Sequence, residues 1–281
     1  MKTVFYALFL FYCIGCNAQD FKTHIRFLAS DSLHGRLAGS ADELKAANYI
    51  ASEFKLAKCK MVFQKFPFEK DSALNVFGFY DVGSDTTIII SAHYDHLGYG
   101  TDKSHEIIKK GIHPGADDNA SGVAMMVELA KWISKTAGWK YNFVFAAYSA
   151  HEAGLYGSAY FAKSNLSRSL KIRSVINLDM VGRLDPVSKT IRISGAETDS
   201  VFHAYFQDHQ DSLLHFLYDD SNILLSDLKP FSEKGVPVLN ITTGIHDDYH
   251  RIGDVESKIN YPGMKNVFNA LQGLLLKLIQ K

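Results

Sequence analysis

The chain has 281 residues, 47% of them hydrophobic and 21% charged, the balance of an ordinary globular protein with ample apolar side chain for a core. Disordered and fibrous classes are excluded by that balance. Lys plus Arg and Asp plus Glu number 30 each, so no net field draws the molecule toward nucleic acid or an anionic membrane, and no nucleic-acid partner is expected.

In chain order, Lys2 and the apolar run from Val4 to Ile14, too short to span a bilayer as a helix, read as an export signal. Two processing routes fit. Ile14, Gly15 and Cys16 resemble the end of a lipoprotein box, which would place a lipid anchor on Cys16, whereas Cys16, Asn17 and Ala18 fit a small-residue cleavage site before Gln19. Cys13 stands where a lipobox usually carries Leu, which favours free release. The expected organisation is a signal peptide over residues 1–18 and one domain over 19–281, exported to the periplasm or the extracellular space without a transmembrane span. Cys59 is then the only cysteine of the domain, so no disulfide framework is expected and Cys59 reads as a small, partly buried apolar residue at the end of a helix.

Residues 42–58 place Leu44, Ala47, Ile50, Ala51, Phe54 and Ala57 at three- and four-residue spacing, which predicts an amphipathic helix. Short apolar runs predict strands over 86–91, 141–147, 174–178 and 236–241. Helical patterns lie between and after them, at about 120–134, 155–163, 199–212 and 263–279. This alternation predicts a single-domain α/β/α sandwich with a mixed, largely parallel central sheet. Open sheets of this kind bind ligands outside the carboxyl ends of their strands, where the polar residues that follow these runs would gather.

The first of these clusters is SAHYDHLG, residues 91–98, where His93 with Asp95 two positions on suits a metal-bound imidazole and a carboxylate that orients it. His96 reads as a hydrogen-bonded structural histidine. In PGADDNASG, residues 114–122, Asp117 and Asp118 adjoin in a turn-rich segment, with Asn119 or Ser121 able to cap the helix that follows. Adjacent acids repel unless a cation or hydrogen-bond donors compensate, which leaves capping and a metal role for Asp117 both open. SAHEAGLYGS, residues 149–158, sets His151 and Glu152 after a strand; INLDMVGR, residues 176–183, sets Asp179 after another. HDDYHRIGD, residues 246–254, is a loop dense in ligand-type side chains, His250 among them. Histidines and carboxylates at separate strand ends, without thiolates, are the mixed ligand set of a hydrolytic zinc site. A shared carboxylate would let two ions clamp one water.

Taken in order, these segments resemble the motif series of the M28 family of zinc aminopeptidases, and 28–40 and 226–238 resemble that family's lead-in and the stretch before its last ligand. The resemblance implies two Zn2+ per chain: His93 and Asp179 on one, Glu152 and His250 on the other, Asp117 as the bridge. It also implies that Asp95 stands behind His93 and that Asp254 supports the last loop. One departure matters. The family's motif has two consecutive glutamates, the first a general base, and here that position is His151, whose imidazole can accept a proton near neutrality.

The expected function is a metallopeptidase acting as an exopeptidase, an aminopeptidase, on a peptide substrate through a water held by two metals, with His151 as base and Tyr249 as a donor to the oxyanion. Two alternatives stand beside it: a zinc-containing peptide-binding protein that has lost catalysis with the glutamate, and a relative of the glutaminyl cyclases, which share the fold and use one zinc.

Overall fold

The computed structural model describes residues 18–106, 110–208 and 213–279. Lys2, the 4–14 run, Cys13 and the expected anchor Cys16 lie outside the described residues. The strands are β1 (Lys60–Phe68), β2 (Asp71–Tyr80), β3 (Thr86–His93), β4 (Asn142–Tyr148), β5 (Lys171–Leu178), β6 (Thr190–Ser194), β7 (His215–Tyr218) and β8 (Val238–Thr242). The α-helices are α1 (Ala18–Leu28), α2 (Ala41–Leu56), α3 (Gly122–Ile133), α4 (Tyr156–Lys163), α5 (Asn165–Arg168), α6 (Ser200–Asp208), α7 (Lys229–Ser232) and α8 (Tyr261–Ile279).

The strands form one sheet in the order β1-β2-β4-β3-β5-β8-β6-β7. Its centre is parallel, β4 to β3 to β5 to β8. Antiparallel pairings flank it, β1 with β2, β2 with β4, and β6 with β8. Alternation along β3 shows why helices must cover both faces. Ile88, Ile90 and Ala92 enter the large cluster built with α1, α2, α3 and α8, while Ile89 packs with Phe161, Phe231 and Val238 on the opposite side. The expected α/β/α sandwich is therefore present.

Helix α2 starts with a reciprocal cap: Ser40 accepts from the Glu43 amide, and the Glu43 carboxylate accepts from the Gly39 amide at 2.7 Å. Its apolar face, Ala46, Ala47, Ile50, Ala51 and Phe54, is buried. Cys59 is buried beside it, and burial pushes its thiol up to about 12, far from reactive. No helix among the described residues is long and apolar enough to cross a membrane.

Candidate metal centre

Parallel strands ending on one side deliver the polar residues to one place. His93 is the last residue of β3, Asp179 directly follows β5, Glu152 lies in the turn after β4, and His250 lies in the loop after β8. Asp118 comes from the loop that enters α3.

Asp118 is the carboxylate that faces both histidines. Its Oδ1 lies 3.3 Å from His93 Nε2, and its Oδ2 lies 3.3 Å from His250 Nε2. Asp179 stands 3.5 Å from His93 Nε2 on one side, and Glu152 stands 3.2 Å from His250 Nε2 on the other. The sequence reading gave the shared position to Asp117, and the geometry puts Asp117 elsewhere. Its Oδ1 accepts from the Gly182 amide at 2.7 Å and from Ser121 Oγ at 2.9 Å, and its Oδ2 faces His246 Nε2 at 3.3 Å. Neighbouring residues of a tight loop project in different directions, so the two acids separate: Asp118 faces His93 and His250, whereas Asp117 Oδ1 is enclosed by donors and its Oδ2, like His246 Nε2, is buried without a hydrogen-bond partner among the described residues. Gly115, at φ 58°, permits this loop: a Cβ there would lie 2.2 Å from the Asp118 carbonyl oxygen.

The imidazoles of His93 and His250 both present Nε2 to Asp118. His93 Nδ1 donates to the Asp95 carbonyl at 3.2 Å and His250 Nδ1 to the Lys103 carbonyl at 2.9 Å, which fixes the tautomer whose Nε2 carries a lone pair. Among the described residues, His93 Nε2, His250 Nε2 and Asp118 Oδ2 are buried without a hydrogen-bond partner. Convergent orphaned donor atoms of this kind are what a divalent cation satisfies, so the residues fit zinc. Burial and nearby Asp118 push the Glu152 carboxyl up, yet the neighbouring His250 and the hydrogen bond with His96 hold it down at about 2. Asp118 is likewise held well below the carboxylate range against its burial, by His250 and His93. Both stay ionised, as ligands must.

The residues around this centre brace it. Asp95 accepts from the His151 amide at 3.1 Å and the Glu152 amide at 3.2 Å, and its carboxylate is 3.7 Å from His93 Nδ1. Asp254 accepts from the amides of Asp117 and Asp118, both at 3.0 Å. His96 lies 2.9 Å from Glu152 Oε1. Tyr249 stacks on the His250 ring at 3.9 Å between centroids, and burial raises its hydroxyl pKa, which keeps it a proton donor. Sequence reasoning missed two further residues. Arg36, fully buried, donates to the carbonyls of Tyr94, Leu28, Gly115 and Asp118 and so ties the 114–118 loop to the rest of the domain. Its setting between Gly35 and the LAGS stretch was the available signal.

The second is Asp227. His151 Nδ1 donates to Asp227 Oδ2 at 2.9 Å, and the Asp227 side chain is fully buried. The His151 ring lies parallel to His93 at 3.8 Å. Burial and His93 both disfavour the His151 imidazolium, but Asp227 outweighs them and the pKa is raised to about 9. His151, Glu152, Asp118 and Asp179 line a cavity of about 370 Å³.

Comparison with known proteins bears on the family and the fold. The uncharacterized protein YfbL of Escherichia coli (strain K12) is 27% identical, over 92% of this chain and 87% of its own length. A probable zinc metalloprotease of Pyricularia oryzae is 36% identical over 36% of this chain, which spans 19% of that protein. In structure, the LapA aminopeptidase of Legionella pneumophila matches with a TM-score of 0.77 at 22% identity, over 94% of this chain and 72% of that one. A glutaminyl cyclase of Bacteroides thetaiotaomicron, solved bound to N-acetylhistamine, matches with a TM-score of 0.77 at 18% identity, over 93% of this chain and 98% of that one. The model of peptidase family M28 matches residues 75–275, a span that contains every residue of the centre, and the chain belongs to that family.

Proposed function

We propose that the protein is a zinc-dependent exopeptidase that removes residues from the amino end of peptides. His93, Asp118 and Asp179 would hold one ion, and Asp118, Glu152 and His250 the other. The observation that carries this reading is the convergence of His93 Nε2, Asp118 Oδ2 and His250 Nε2, buried and without partners among the described residues. When bound, the zinc pair would supply Lewis acidity, making water a better nucleophile near neutral pH and polarising the scissile carbonyl.

The remaining work falls to the chain's own side chains. The His151 pKa of about 9 belongs to the metal-free chain; two bound dications beside the ring would lower it, so that His151, donating from Nδ1 to Asp227, has Nε2 free to take a proton from the attacking water and pass it to the leaving amine. A His–Asp pair thus supplies, through a buried carboxylate, the negative charge that a glutamate would have carried at position 151. Tyr249, kept protonated, donates toward the developing oxyanion. Export is part of the proposal: the mature natural protein should begin near Cys16 or Gln19, with lipid on Cys16 if the anchor route is used, and mass spectrometry reads either.

The test is hydrolysis of aminoacyl and N-blocked peptide substrates by the purified domain, stripped of metal and then reloaded with zinc. Zinc-restored release from free amino termini is expected; no hydrolysis of any substrate under either condition would reject the reading. The likeness to a glutaminyl cyclase over 98% of that chain favours one other activity, cyclisation of amino-terminal glutamine. Conversion of a glutaminyl peptide to its cyclised form, with one zinc per chain, would select it.

A further inference from the structure

The cavity that holds His151, Glu152 and Asp179 runs on to Arg192, the only Lys or Arg among the described residues that line it. Along β6, Ile191 and Ile193 enter the core beneath the helices, so alternation sends Arg192 to the opposite face. Its register partner is Thr242 at the end of β8, and the amide of Asp179 is bonded to Ile241 of that strand. Arg192 therefore sits two strands from Asp179, about 10 Å at ordinary strand spacing. Its own reach and that of one substrate residue span such a gap.

The guanidinium is only loosely engaged. Its ion pair with Asp219 is 3.6 Å long, outside hydrogen-bond range, with 43% of the Arg192 side chain and 30% of the Asp219 side chain exposed. Pairs of that length and exposure contribute little. Ser221 holds Asp219 through Oδ1, with its amide and hydroxyl, so only Oδ2 is turned to Arg192, and at 3.6 Å. Gly244 lies directly beneath: a Cβ there would come within 3.0 Å of Arg192 Nε, so the residue that packs against the guanidinium is one without a side chain. Among the groups a peptide brings into the cavity, a planar fork of donors with no tight partner pairs most strongly with a carboxylate, which takes two parallel charge-assisted bonds where a carbonyl takes neutral ones.

We propose that Arg192 is a specificity residue that receives a substrate carboxylate, so that peptides carrying a negative charge beside the scissile bond are preferred. This rests on the peptidase reading above. The carboxylate has two sources, an Asp or Glu side chain or the free carboxyl terminus of a short peptide. With zinc-loaded protein, the p-nitroanilides of Glu and Leu test the first source, and Leu-Gly against its amide tests the second. One pair should show a preference for the carboxylate of about tenfold or more in kcat/KM, and Arg192→Met should erase that ratio through KM, with Arg192→Lys restoring part of it. Asp219→Asn, which removes the competing charge, should widen it.

A binding measurement separates this proposal from the peptidase reading. L-glutamate compared with L-glutamine, and Leu-Gly compared with its amide, should raise the melting temperature of the wild type more than that of Arg192→Met. If no substrate is cleaved but this Arg192-dependent difference persists, the carboxylate site stands and the peptidase reading falls. Equal kcat/KM and equal thermal shifts with and without the carboxylate, or a preference unchanged in Arg192→Met, would overturn the assignment of Arg192.

Discussion

His151 Nδ1 lies 2.9 Å from Oδ2 of Asp227, a carboxylate with no solvent exposure, and this contact links two segments 76 positions apart in the chain. It fixes the imidazole so that Nε2 is the atom left for chemistry. His151→Ala should keep both metals and lose roughly 10² to 10⁴ in rate, the usual worth of positioned proton transfer. Asp227→Asn should act the same way in kcat with little change in KM, since the ring loses its orientation and its charge partner. Glu152→Ala should instead lose metal. His151 also lies within ligand reach of His93 and Asp179, so zinc lost from His151→Ala would make it a ligand and not the base.

The Asp227 contact also sets a proton affinity. In metal-stripped protein, NMR titration should find the His151 imidazolium raised to about 9, and Asp227→Asn should lower the midpoint toward the ordinary histidine value, because Asp227 is the neighbour that raises it. Because the folded value is raised, the stability this group contributes is complete below about pH 6.5 and is lost as pH rises through 9. A midpoint unaffected by Asp227→Asn would contradict the pairing.

Asp117 and Asp118 should separate cleanly. Asp118→Asn is expected to weaken zinc at both positions, whereas Asp117→Asn should retain zinc and cost about 1 to 3 kcal/mol of stability, because its carboxylate accepts buried hydrogen bonds from Gly182 and Ser121. Zinc content by elemental analysis and urea unfolding of the two variants read these outcomes.

Glu43 offers a prediction away from the centre. Burial raises its carboxyl to about 8, opposed by hydrogen bonds from Ser149 and Gly39 and reinforced by the charge of Asp95. A carboxyl raised on folding stabilises the native state below its unfolded pKa, and that contribution falls as pH rises toward 8. Glu43→Gln should therefore remove a stability loss of a few kcal/mol between about pH 5 and pH 8, measured as the difference between wild-type and variant urea midpoints across that range. Parallel profiles for the two proteins would show that Glu43 is ionised throughout.

The central strands were legible because β-branched runs such as Thr86 to Ser91 have few alternatives to a buried parallel strand, and the observed β3, Thr86–His93, extends that run by two residues. The β1–β2 hairpin was not. Its connection at Glu69 and Lys70 lacks a Gly or Asn signal, although Glu69 adopts φ 50°, and β1 mixes Lys and Gln with apolar residues because it is an edge strand. Strands β6 and β7 are short and lie at the other edge. In the candidate site, single acids after strands were readable one at a time. The choice between Asp117 and Asp118 was not, because it depends on which way a loop turns two neighbouring side chains. Asp227 stood in a quoted segment without a role, since only the folded chain brings it to His151.

Anomalous diffraction at the zinc edge from crystals of the zinc-loaded protein tests whether two zinc positions share Asp118. Two peaks are predicted, one among His93, Asp118 and Asp179 and one among Asp118, Glu152 and His250, at the 3.5 to 4 Å separation of two-metal hydrolases. A single peak at full loading, or a peak between Asp117 and His246, would contradict the shared position.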